Sequence, residues 1–77
     1  MAVIFVFVRS AFEAVDRQRR GRINEWQFGQ AWVQLGLGGS EEEIKDAFAS
    51  VGQSEVDMRQ FVQIVKDHVT SYFRLIK

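Results

Sequence analysis

The stretch DRQRRGRINEWQ, Asp16 to Gln27, decides how the rest of the chain is read. It places Asp first, Gly sixth and Ile eighth, and Phe28 follows directly after its twelfth residue. Gly21 gives the backbone a sharp turn that a residue with a Cβ resists. Asn24 is a plausible N-cap, with Glu25 and Gln27 behind it, so a helix is expected to begin there. The stretch therefore predicts a turn followed closely by a helix start.

Upstream, VIFVFVRSAFEAV (Val3 to Val15) places Ile4, Val8, Phe12 and Val15 at helical spacing. Val3 to Val8 alone reads equally as a buried strand, being dense in β-branched and aromatic residues. Continuation through Ala11, Phe12 and Ala14 favours a helix. Downstream, Phe28, Trp32 and Leu35 recur at four and three, an amphipathic helix with a Gln-rich outer face. The GLGG run, Gly36 to Gly39, ends it. Ser40 followed by Glu43 predicts a capping box, and Glu41 to Glu43 suit the positive end of the helix dipole. Ile44, Ala47, Phe48 and Val51 form the inner face of this third helix, and Gly52 stops it. A last helix carries Phe61, Ile64, Val65, Val69, Tyr72, Phe73 and Ile76 as its apolar stripe.

The two halves echo each other. Phe12 to Val15, Ile23 and Gln27-Phe28 recur as Phe48 to Val51, Val56 and Gln60-Phe61. Such an internal duplication carries more information than either half alone. The expected fold is all-α: four helices in two helix–loop–helix pairs, about residues 3–36 and 40–77. With 77 residues, the chain has room for one domain.

Composition narrows the functional classes. There is no Cys, which excludes disulfides and thiolate metal sites. Ten basic and ten acidic side chains cancel, so no global charge draws the chain to nucleic acid or anionic lipid. The apolar opening MAVIFVFVR is too short to span a bilayer and lacks the features of a secretory signal. A cytoplasmic protein is expected. No cysteine nucleophile, no companion set for the single His68 and no phosphate loop is evident, so an enzyme is not expected. RQRRGR is short and flanked by acids, and nucleic acid is not an expected partner.

On these residues the chain resembles the paired EF-hand lobe of calmodulin and the myosin light chains, over about Val8 to Val65. LGLGGSEEEIKDAF is similar to the linker between the two hands of that family. The departures concern the metal. A calcium loop supplies oxygen from positions 1, 3, 5, 7 and 9 and a bidentate Glu from position 12. Here those seats include Asp16, Gln18, Arg20, Asn24 and Gln27. Arg has no acceptor atom, and Gln27 offers one neutral oxygen where two anionic ones are wanted. Arg17, Arg19, Arg20 and Arg22 add positive charge around any cation. In the second half, Val51 to Val56 spans five positions against eight for Val15 to Ile23, three fewer, too short to wrap an ion. No metal and no cofactor are expected. The frame is expected to serve structure instead, with Ile23 and Val56 pairing as a short antiparallel strand that joins the two hands, with Arg20 or Arg22 bridging to Asp16 or Glu25, and with Glu55 and Asp57 as solvated side chains.

The resemblance implies a module that clasps an amphipathic helix without calcium, as some light chains hold the basic IQ motif, here of an unconventional myosin heavy chain. Carried over residue by residue, the groove comprises Val8, Phe12, Val15, Phe28, Ala31, Trp32, Leu35, Ala47, Phe48, Val51, Phe61, Ile64 and Val65. The alternative for all of them is the core of a closed lobe. Two apolar surpluses remain: Ile4, Phe5, Val6 and Phe7 around the first helix, and Val69, Tyr72, Phe73 and Ile76 on the last. They either cover each other or meet a partner or a second copy, which leaves a homodimer open. Trp26 reads as a surface anchor, and His68 as a solvated side chain. A further alternative is a structural lobe of a larger cytoskeletal chain, similar to the degenerate hands of actinins. The initial Met and the four-helix count favour a small protein.

Overall fold

A computed structural model describes the backbone of residues 2–76 and the side chains of residues 6–70. The order is α1 (Ala2–Val15), β1 (Arg22–Asn24), α2 (Glu25–Gln34), α3 (Glu41–Ala49), β2 (Glu55–Asp57) and α4 (Met58–Ile76). The apolar opening is therefore helical. β1 and β2 form a two-stranded antiparallel ribbon in the register Arg22↔Asp57, Ile23↔Val56, Asn24↔Glu55. The ribbon joins the two helix–loop–helix hands through their loops, as the sequence predicts.

Local chemistry sets the boundaries. The Asn24 side chain accepts from the Gln27 N–H at 2.9 Å, and Gln27 Oε1 accepts from the Asn24 N–H at 2.9 Å. Asp57 and Gln60 repeat this reciprocal box at the start of α4, at 2.8 and 2.9 Å. The Gln of each duplicated Gln-Phe step thus closes a helix entry. Asp57 is not the merely solvated acid expected from the sequence. At α3 only the forward half of the expected box is made, with Ser40 Oγ accepting from the Glu43 N–H at 3.2 Å. α2 ends where Gly36 takes φ 70° and donates to Val33 O at 2.9 Å. That positive φ is open to glycine at little steric cost.

The Phe of each step then makes the core. Phe12, Phe28 and Phe61 have less than 2 % of their surface exposed. Phe28 meets Phe61 edge-on, with centroids 5.6 Å apart and planes at 90°. The remaining contacts obey the duplication: Phe12 of hand one packs on Phe61 of hand two at 5.8 Å, and Phe48 of hand two packs on Phe28 of hand one at 5.3 Å. Tilted and edge-on pairs of this kind add about 0.5–1.5 kcal/mol each beyond burial. Phe12 and Phe48 are 36 positions apart, Phe28 and Phe61 only 33; the difference of three is the shortening of the second loop. Ile23 and Val56, both wholly buried, close the core beneath the ribbon.

Candidate functional site

Asp16 occupies the first seat of loop one and is the one buried acidic side chain among the described residues, 7 % exposed. α1 delivers it: the Asp16 N–H still donates to Phe12 O at 2.9 Å, the last helical bond. Its two carboxylate oxygens accept from the Arg20 N–H at 3.0 Å and the Gly21 N–H at 2.8 Å. The chain reaches these amides by turning through Arg19 at φ 53° and Gly21 at φ 78°. The carboxylate therefore serves as an internal anchor for loop amides that would otherwise lack a partner. Gln27, in the twelfth seat, is equally committed. Its Oε1 caps α2, and its Nε2 donates to Val15 O at 2.9 Å, tying the end of α1 to the start of α2.

These residues do not fit a calcium ion. Asp16 is the only acid among the five named seats, the twelfth seat is a neutral amide whose oxygen caps α2 and whose nitrogen is bonded to Val15 O, and the fifth is a cation. Among the described residues no group of three or more His, Cys, Asp or Glu side chains is arranged to hold a metal.

The bridge expected between Arg20 or Arg22 and Asp16 or Glu25 is not the one formed. Arg20 Nη2 lies 2.9 Å from Glu55 Oε2. The reason is the ribbon register. Asn24 stands opposite Glu55, which brings β2 alongside loop one, while Asp16 is buried with its oxygens turned to the Arg20 and Gly21 amides. Glu55 is accordingly paired and half-buried, not solvated. Among the described residues this is the single ion pair, and Arg17, Arg19 and Arg22 leave their guanidiniums exposed without an acidic partner.

The thirteen apolar residues assigned from the resemblance all belong to one interior. Val8, Phe12, Phe28, Ala31, Trp32, Phe48, Phe61 and Val65 are buried, and Val15, Leu35, Ala47, Val51 and Ile64 pack partly buried against them. Val69 also packs on this cluster, so the first of the surplus residues on α4 has cover. Val6 and Phe7 stand exposed on α1. The side chains of Ile4, Phe5, Tyr72, Phe73 and Ile76 lie outside the described residues. Trp32 also fastens the linker, its Nε1–H donating to Gly38 O at 2.9 Å. His68 stacks edge-on against that indole, with centroids at 4.9 Å, and is half-buried, not solvated as the sequence suggested. A lone His read from sequence gives no hint of an aromatic neighbour 36 positions away.

What the sequence did not reveal is an open groove on the outer side of α2. Trp26 and Val33 are 71 % and 70 % exposed. They line a groove of about 820 Å³ with Gly29, the end of α1 and the first half of α3, where Ile44 approaches Gly29. Trp26, Gly29, Gln30 and Val33 share one face by helical spacing, so the signal was present as a second, weaker stripe. The Gln-rich character of that face masked it. A smaller polar cup of about 380 Å³ adjoins the groove across Trp26 and is lined by Arg17, Gln18, Arg20 and Gln27.

Among the described residues no helix is long and apolar enough to cross a membrane. In comparison with known proteins, no family model, no curated protein and no solved structure matches this chain. What the structure shows is a four-helix domain of paired EF-hand-like topology, its loops joined by a short antiparallel ribbon and locked by their own side chains.

Proposed function

We propose that this chain is a calcium-independent, EF-hand-like binding module that holds an amphipathic helix of a protein partner. The observation that carries the reading is the occupancy of loop one. Asp16, Arg20 and Gln27 spend on the fold the contacts an ion would otherwise organise. A switch that opens on metal binding has no trigger in such a loop. A pair of hands built on this ribbon then serves as a permanent scaffold, and helix docking is a recognition mode such scaffolds support. That the helix is of the IQ type, from an unconventional myosin heavy chain in the cytoplasm, rests on the sequence resemblance. The acids Glu41, Glu42, Glu43 and Asp46 on α3 give a basic helix something to face.

The test is a titration of the full chain with a labelled IQ-type helix and with scrambled controls, each in chelator and in millimolar calcium. Saturable binding to the IQ-type helix, equal in both buffers, supports the reading. Binding only with calcium, or equal binding to scrambled sequences, overturns it. A second reading, self-association, has its own observation in exposed Val6, Phe7, Trp26 and Val33 on a chain of zero net charge. Sedimentation at tens of micromolar separates it: a clean monomer removes it.

A further inference from the structure

We infer that the outer face of α2 is the contact between two copies of this chain, packed across a two-fold axis that passes beside Gly29 and Gln30. The inference rests on the self-association reading and not on the binding of a partner helix. The face is complementary to itself. Trp26, Gly29, Gln30 and Val33 lie at i, i+3, i+4 and i+7 on α2. The two ends of that row are large, apolar and exposed. Its middle is one missing side chain beside one long one. A second α2 laid antiparallel across the midpoint sets Trp26 against Val33 and Gln30 against Gly29, and the two-fold repeats both contacts. Among the described residues only Ile44 Cγ2, at 4.0 Å, comes near the place a Gly29 Cβ would take, so the hollow above Gly29 has room for that Gln side chain.

The charged groups of the groove fit the same arrangement. Arg17 and Glu25 line it where the chain enters α2, and Glu41 and Lys45 line it from α3. Each end thus carries one base and one acid, so the lining has no polarity that would seat a wholly acidic or wholly basic partner. All four side chains are exposed, and none makes an ion pair among the described residues. Antiparallel pairing brings the α2-entry end of one copy to the α3 end of the other, where Arg17 meets Glu41 and Glu25 meets Lys45. Every charge then faces its opposite, and the two-fold makes each contact twice. A chain of zero net charge does not resist that approach. The assembly closes at two copies, because such a contact uses the same patch on both.

The experiment is sedimentation equilibrium of the full chain at low salt, up to tens of micromolar, with circular dichroism to confirm that each variant retains its helices. A monomer–dimer equilibrium is expected. Trp26→Ala and Val33→Glu, both at exposed positions, are each expected to weaken it about tenfold or more, because they remove a central apolar contact on both copies. Arg17→Glu sets two acids face to face, and Glu41→Arg two bases. Each is expected to weaken the homodimer about five- to tenfold, since the contact occurs twice. An equimolar mixture of these two variants is expected to recover a dimer near wild-type strength, because every contact in the mixed pair again joins opposite charges. Misfolding of either variant does not produce that recovery. Monomer at every concentration overturns this contact together with the self-association reading and leaves helix binding standing. A dimer indifferent to Trp26→Ala and Val33→Glu, or one abolished only by Phe7→Asp on α1, overturns the α2 contact and keeps self-association. No recovery on mixing overturns the two-fold pairing, as do assemblies that grow beyond two copies.

Discussion

Arg20 and Glu55 meet at 2.9 Å across the two loops, so the side chain in the fifth seat of loop one is a tie to the other hand. Yet Arg20 is half exposed, and exposed ion pairs contribute about 0–1 kcal/mol. A double-mutant cycle on Arg20→Ala and Glu55→Ala is expected to give a coupling below about 1 kcal/mol. A coupling of several kcal/mol measured by urea melts would mean the bridge, and not the core, joins the hands.

Asp16 carries more. Removing its carboxylate leaves the Arg20 and Gly21 amides without their protein acceptor. Asp16→Ala is expected to lower stability by about 2–3 kcal/mol, and Asp16→Asn by less, since the amide retains one acceptor oxygen. Equal melts for wild type and Asp16→Ala would remove the anchor from the account.

The duplicated capping boxes permit an internal comparison. Gln60→Ala is expected to cost about 1 kcal/mol, the usual scale of a lost cap. Gln27→Ala is expected to cost more, because its Nε2 donates to the part-buried Val15 O at 2.9 Å, whereas Gln60 Nε2 donates to the exposed Gln53 side chain at 3.1 Å. Thermal melts read the difference, about 4–8 °C per kcal/mol for a domain of this size.

Phe28 touches Phe48, Phe61 and Trp32, at 5.3, 5.6 and 5.5 Å. Phe28→Ala is expected to cost about 3–5 kcal/mol, much of the stability of a small domain. Loss of most helical signal at room temperature is the outcome foreseen, and a variant that melts near wild type would contradict the core assignment.

The fold was legible because its signals agree. Helical spacing, the Gly at the turn and the repeated Gln-Phe step each point to the same paired hands, and Ile23 and Val56 fell opposite each other as expected. The side-chain ties were not legible. Arg20 had several acids within reach in sequence, and its choice of Glu55 depends on the ribbon register and on the burial of Asp16 against the loop amides. Asp57 resembled a surface acid because nothing in QSEVDMRQ marks which residue caps a helix until the boundary is known. Trp32 and His68 illustrate the same limit, their contact arising only when α2 and α4 are packed. The groove beside Trp26 was hidden by polar neighbours on the same face, and a stripe of two large apolar residues is weak evidence without the surface around them.

Asp16 and Gln27 shape loop one through their own hydrogen bonds, and the buried aromatic core joins the hands, so the fold needs no ion. Thermal unfolding followed by circular dichroism, in chelator and in millimolar calcium, tests it most directly. Full helical signal in chelator and the same midpoint in both buffers are expected. A ligand at a hundred times its dissociation constant adds about 2.7 kcal/mol. A midpoint raised about 10 °C or more by calcium, or helix lost in chelator, would contradict it.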